Sequence, residues 1–124
     1  MSESFAELYR DALKGVFIER ARQQLEQGSD ALTSANAYAE RGKPEFVLAF
    51  LLLTESQDEV KREVFAHAFE RRAHISAQKA ASFDAQYHRP FPLIQLEAQK
   101  DLRAAKQVRE GQPLQGSGKE RRLD

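Results

Sequence analysis

Glu63, His67, Glu70 and His74 are the residues of this chain whose types and spacing could do chemistry. Offsets of four, seven and eleven along an α-helix gather all four side chains into a strip about 60° wide. Imidazole beside carboxylate is a ligand set for Zn²⁺, Mn²⁺ or iron when a helical bundle turns it inward, and a His-Glu pair can also move a proton. The spacing departs from Glu-x-x-His, because Glu70 and His74 stand four apart and no second segment supplies a matching Glu-x-x-His. One helix alone does not enclose a metal. A solvated face, or a polar seam between subunits carrying Glu-to-His pairs at i, i+4, is the simpler expectation, and a divalent metal the alternative.

The second constellation is Tyr87, His88, Arg89 and Phe91, set around Pro90 and Pro92. Two aromatics, an imidazole and a guanidinium at a stiff elbow could stack on a base or clamp an anion. The plainer role is a helix-to-helix elbow anchored by Phe91. The basic residues Lys119, Arg121 and Arg122 could touch nucleic acid, but they are few and Glu120 interrupts them. Nothing beside these groups looks like an activated nucleophile, and Ser76 and Ser82 read as ordinary helix-surface serines.

The elements that must position these residues are helices. Val, Ile and Thr are sparse, strict alternation is missing, and Ala, Glu, Arg, Gln and Leu dominate. The clearest architectural signal is Phe46 to Leu53, eight consecutive apolar residues in a chain that is 31% charged. A helix that is apolar all round must be buried all round. It is also far too short to cross a bilayer, which takes about 20 apolar residues.

A first helix opens at Ser4, where Ser4 and Glu7 have capping-box spacing, and runs to Gly28. Phe5, Leu8, Tyr9, Ala12, Leu13, Val16 and Phe17 form its stripe, while Ile18, Ala21 and Leu25 fall off it and imply a different neighbour. A second, alanine-rich helix spans about 31–41, and a third follows Gly42 and Pro44 over 44–54. The fourth is long, 57–87, with two apolar bands: Val60, Val64, Ala68 and Ile75, then Phe65, Phe69, Ala73, Ala80 and Phe83. Lys61, Arg72 and Lys79 lie between the bands, where their stems can cover apolar surface. The fifth helix, Pro92 to Arg109, carries Leu93, Ile94, Ala98, Leu102, Ala105 and Val108 on one broad face, with Glu97, Lys100, Asp101, Arg103 and Lys106 away from it.

The expected fold is therefore all-α: a single bundle of about five helices over residues 1–110, built around a central buried apolar helix, with a flexible polar tail over 111–124. Ala35, Tyr38, Gly42, Phe46 and Phe50 resemble one helical hairpin of the tetratricopeptide type. A shift by that repeat's period of roughly 34 residues lands on Phe69, Arg72 and Ser76, which do not repeat the pattern. The resemblance stays confined to one hairpin and implies no function.

Nineteen basic and nineteen acidic residues cancel, so there is no global field to attract nucleic acid or an anionic membrane. The absence of cysteine removes disulfides and thiolate sites. Met1 to Phe5 lacks the basic and apolar regions of a secretory signal, so the expected location is cytoplasmic. The expected function is a non-catalytic helical interaction, assembly or regulatory module with a protein partner, foremost a second copy of itself. A helical metal-binding protein or enzyme using the His/Glu strip, and a nucleic-acid accessory protein, are the alternatives.

Overall fold

The computed structural model describes residues 4–87 and 92–114. Among them, six α-helices and one 3-10 turn follow in order: α1 (Phe5–Tyr9), the turn Arg10–Ala12, α2 (Gly15–Glu26), α3 (Ala31–Glu40), α4 (Pro44–Leu52), α5 (Asp58–Tyr87) and α6 (Pro92–Arg109). The chain is all-helical, and one core cluster draws on all six helices.

The single first helix predicted by the sequence is divided. Leu13 adopts an extended conformation, φ −116° and ψ 134°, and helix resumes only at Gly15. The shift in apolar phase explains the break. Phe5 and Tyr9 meet Phe65 of α5 edge-on, with ring centroids 5.9 and 5.3 Å away, whereas Phe17 of α2 meets Phe46 of α4 at 5.0 Å. A straight helix cannot aim both stripes at their targets, and Gly15 lowers helix propensity at the joint. At the start of α1, the Ser4 hydroxyl oxygen accepts from the Glu7 N–H, while Asp58 at the start of α5 takes the Phe5 N–H at 3.0 Å.

The apolar run becomes α4, and its middle, from Val47 to Leu51, is enclosed by this chain, while Phe46, Leu52 and Leu53 are half-buried. Val47, Leu48, Ala49, Phe50 and Leu51 are buried, against α3 on one side and α2 and α5 on others. Each large side chain taken out of water there contributes about 2 kcal/mol. Tyr38 of α3 stacks on Phe46 at 4.8 Å and on Phe50 at 5.8 Å, closing the α3–α4 hairpin. Its turn is tight: the Lys43 N–H bonds to the Tyr38 carbonyl and the Gly42 N–H to that of Ala39. Gly42, at φ 68°, presses on α5. A Cβ there would stand 3.0 Å from the Arg72 backbone and 3.2 Å from Ile75 Cδ1.

The two bands expected on the long fourth helix have two sets of neighbours, since α5 packs on α3 and α4 and, most extensively, on α6. Two of the three basic stems cover apolar surface: Lys61 is buried with its Nζ 5.8 Å from the Phe5 ring centroid, and the Arg72 guanidinium lies over Phe69 at 5.5 Å, whereas Lys79 is exposed. Val60 from the first expected band and Phe83 from the second are exposed.

The face expected on the last helix is only partly the buried one. Ala98, Ala105 and Val108 are buried, but Leu93 and Leu102 are exposed, and Asp101, expected outside, is inside. Small residues are the reason. Ala66, Ala73 and Ala80 recur every seven residues on α5, as do Ala98 and Ala105 on α6, and all are buried. An interface this thin brings the backbones close and excludes leucine, while Arg72 on α5 requires a carboxylate opposite it. After Arg109 the chain turns at Gly111. The Tyr9 hydroxyl donates to the Gln112 carbonyl at 2.6 Å and Leu114 packs on the core, so the segment expected to be a tail is docked as far as Leu114. Among the described residues, no helix is long and apolar enough to cross a membrane.

Candidate functional site

The strip Glu63, His67, Glu70 and His74 runs along α5 but is pulled apart by two different neighbours. On one side lies Arg109, near the end of α6. Its Nε donates to both oxygens of Glu63, at 3.0 and 3.1 Å, and its Nη1 and Nη2 donate to the two oxygens of Glu70, at 2.6 and 2.9 Å. Hydrogen bonding to Arg109 holds the Glu70 carboxyl below its ordinary range against the opposing effect of burial. The same bonds, to Glu70 first and then Glu63, push the guanidinium up.

On the other side, His67 Nε2 meets Glu40 Oε1 of α3 at 2.6 Å, and Arg71 Nε donates to the Glu40 backbone carbonyl at 3.1 Å. His74 is exposed. Three of the four candidate ligands thus serve as a polar seam within one chain, Glu63 and Glu70 tying α5 to α6 and His67 tying it to α3. Among the described residues, no group of three or more His, Asp or Glu is arranged to hold a metal ion.

A second clamp crosses the same helix pair one to two turns further along. Arg72 donates from Nε and Nη2 to the two oxygens of Asp101, at 3.0 and 2.9 Å, and reaches Glu45 of α4 at 3.5 Å. Burial alone would lower the Arg72 pKa. The hydrogen bonds and attraction from Asp101, followed by attraction from Glu45, more than offset it, and the net shift is upward.

Below these clamps, Tyr9 is buried, and burial pushes its phenol up to about 12 although the nearby Arg62 charge acts the other way. Arg62 Nε is itself enclosed without a hydrogen-bond partner among the described residues.

Of the second constellation, Tyr87 closes α5, half-exposed, with its ring 6.1 Å from that of Phe83. His88, Arg89 and Phe91 lie outside the described residues, as do Lys119, Arg121 and Arg122.

Sequence reasoning missed the partners of the strip, Arg109 and Glu40, and the pairing of Arg72 with Asp101. The alignment of α5 against α6 brings Arg109 beside Glu63 and Glu70 and Asp101 beside Arg72, and that alignment is set by long-range packing. One local signal was available. A basic residue in the last turn of α6 suits the negative end of the helix dipole, which marks Lys106 and Arg109 as fixed charges. Comparison of the chain with protein-family models, with curated proteins and with solved structures finds no match to any of them.

Proposed function

We propose that this chain is a non-catalytic cytoplasmic interaction or assembly module that self-associates through the outer face of the α5–α6 pair where the pair runs beyond the core. The carrying observation is the exposure of Leu93 and Leu96, at 76% and 46%, one turn apart on α6. The core cluster reaches no further along α5 than Phe69, which leaves some eighteen residues of that helix, and the start of α6, outside it. Leu102 adds a further exposed apolar side chain on α6.

The apolar α4 buries Val47 to Leu51 inside the chain. An interface therefore has to use other apolar groups, and these leucines are available. The use of Glu63, His67 and Glu70 to fasten helices supports the same reading, because it gives the most reactive-looking strip a mechanical role. A second copy related by a two-fold axis would set the same two leucines against each other.

Sedimentation of the full chain tests the proposal. The expected result is a concentration-dependent dimer that becomes monomeric in the double variant Leu93→Glu, Leu96→Glu while helical circular dichroism is unchanged. A wild-type chain that stays monomeric at the highest attainable concentration overturns it.

A further inference from the structure

The break between α1 and α2 leaves a cavity of about 270 Å³ lined by Arg10, Leu13, Ile18, Arg22, Leu52 and Leu53. Four half-buried aliphatic side chains make its walls, two from the α1–α2 region and two from the end of α4, and two exposed guanidinium-bearing side chains stand with them. Neither Arg10 nor Arg22 forms an ion pair among the described residues, unlike Arg71, Arg72 and Arg109. The nearby start of α2 adds to the positive character. Lys14 occupies its N-cap without a side-chain hydrogen bond, and its first turn contains no acidic residue.

An aliphatic surface beside two guanidinium groups that form no ion pair among the described residues is complementary to an anion with an apolar tail. Aliphatic walls hold water poorly. Arginine is the side chain whose planar fork matches a carboxylate with two parallel hydrogen bonds. The volume lies near the roughly 300 Å³ at which small-molecule pockets begin, which suits a single short chain rather than a ring system.

We infer that this cavity is a binding site for an unbranched aliphatic carboxylate. The chain lies on Leu13, Ile18, Leu52 and Leu53, and the carboxylate pairs with Arg10 and Arg22. This inference is independent of self-association, because none of its residues belongs to the α5–α6 surface.

Nuclear magnetic resonance titration of the full chain with octanoate, below its micellar range, tests it. Octanoate is expected to shift the methyl resonances of Leu13, Ile18, Leu52 and Leu53. Acetate should leave them unmoved, and hexanoate should bind more weakly than octanoate by about four-fold for each methylene removed. The double variant Arg10→Gln, Arg22→Gln changes only exposed side chains. It should weaken octanoate binding at least ten-fold while leaving the circular dichroism spectrum as it was. Methyl resonances that stay in place with octanoate overturn the inference, and so does a double variant that binds octanoate as tightly as the wild type.

Discussion

Arg72 and Arg109 both bridge α5 to α6 with a two-pronged guanidinium, yet the carboxylates they hold meet water to very different extents. Arg109 makes the larger number of hydrogen bonds, engaging two carboxylates at 2.6 to 3.1 Å. Arg72 holds one carboxylate at 2.9 and 3.0 Å and barely reaches a second. The carboxylates of Glu63 and Glu70 keep side-chain exposures of 65% and 40%, however, whereas Asp101 keeps 10%. Water competes for Glu63 and Glu70 and is nearly excluded from Asp101, while the two arginine side chains are alike in exposure, at 36% and 38%. What the comparison teaches is that desolvation, rather than a count of contacts, decides which clamp the fold depends on.

Removing Arg72 is the strongest way to break that comparison. Arg72→Met keeps much of the stem over Phe69 but leaves the Asp101 carboxylate enclosed without its partner. The expected loss of folding stability is about 3 kcal/mol, read from urea denaturation. The companion variant Arg72→Met, Asp101→Ala removes both charges with a side chain that the thin interface accepts, and should recover most of the loss. A single variant that loses less than about 1 kcal/mol would place the Asp101 pair in the same class as an exposed one and dissolve the distinction.

The contrast also marks what was readable in the sequence. The helices and most of their ends follow from local signals: Gly28 and Gly42 stop α2 and α3, Pro44 and Pro92 open α4 and α6, and the run from Phe46 to Leu53 identifies the buried helix. The break at Leu13 was foreshadowed only by Ile18, Ala21 and Leu25 leaving the first stripe, because an extended residue costs little locally and is chosen by two distant targets. The inside of α6 was misread around Asp101 and Leu102, since period and hydropathy favour leucine inward. The alanines of α5 and α6 draw the helices too close for it, and only the pairing of two helices far apart in sequence shows that Arg72 needs an acid. The strip Glu63, His67, Glu70 and His74 was legible as a face, and its use was not, for the same reason.

The exposed clamp should respond far less to mutation. Arg109→Met is expected to cost below about 1 kcal/mol, because solvated carboxylates recover hydration when the guanidinium leaves. Salt should distinguish the two clamps further. At about 1 M salt the Debye length is about 3 Å, so the Arg109→Met deficit should shrink toward zero while the Arg72→Met deficit largely persists. Equal salt sensitivity in the two variants would mean that Asp101 is as well hydrated in solution as Glu63.

Acid gives the smallest and most selective effect. The Glu70 carboxyl is held below its ordinary range in the folded chain by the hydrogen bonds from Arg109. A carboxyl whose folded pKa lies below its unfolded one stabilises the fold above the unfolded value, about 4.3 for glutamate, and loses that contribution as pH falls through the folded value. The difference in urea midpoint between wild type and Arg109→Met should accordingly stay constant from neutral pH to about pH 5 and close below it, as the unfolded chain and then the folded one take up the proton. A gap that survives unchanged at pH 3 would show that Arg109 acts through the packing of its stem on α5, and the exposed clamp would then owe its stability to contact rather than charge.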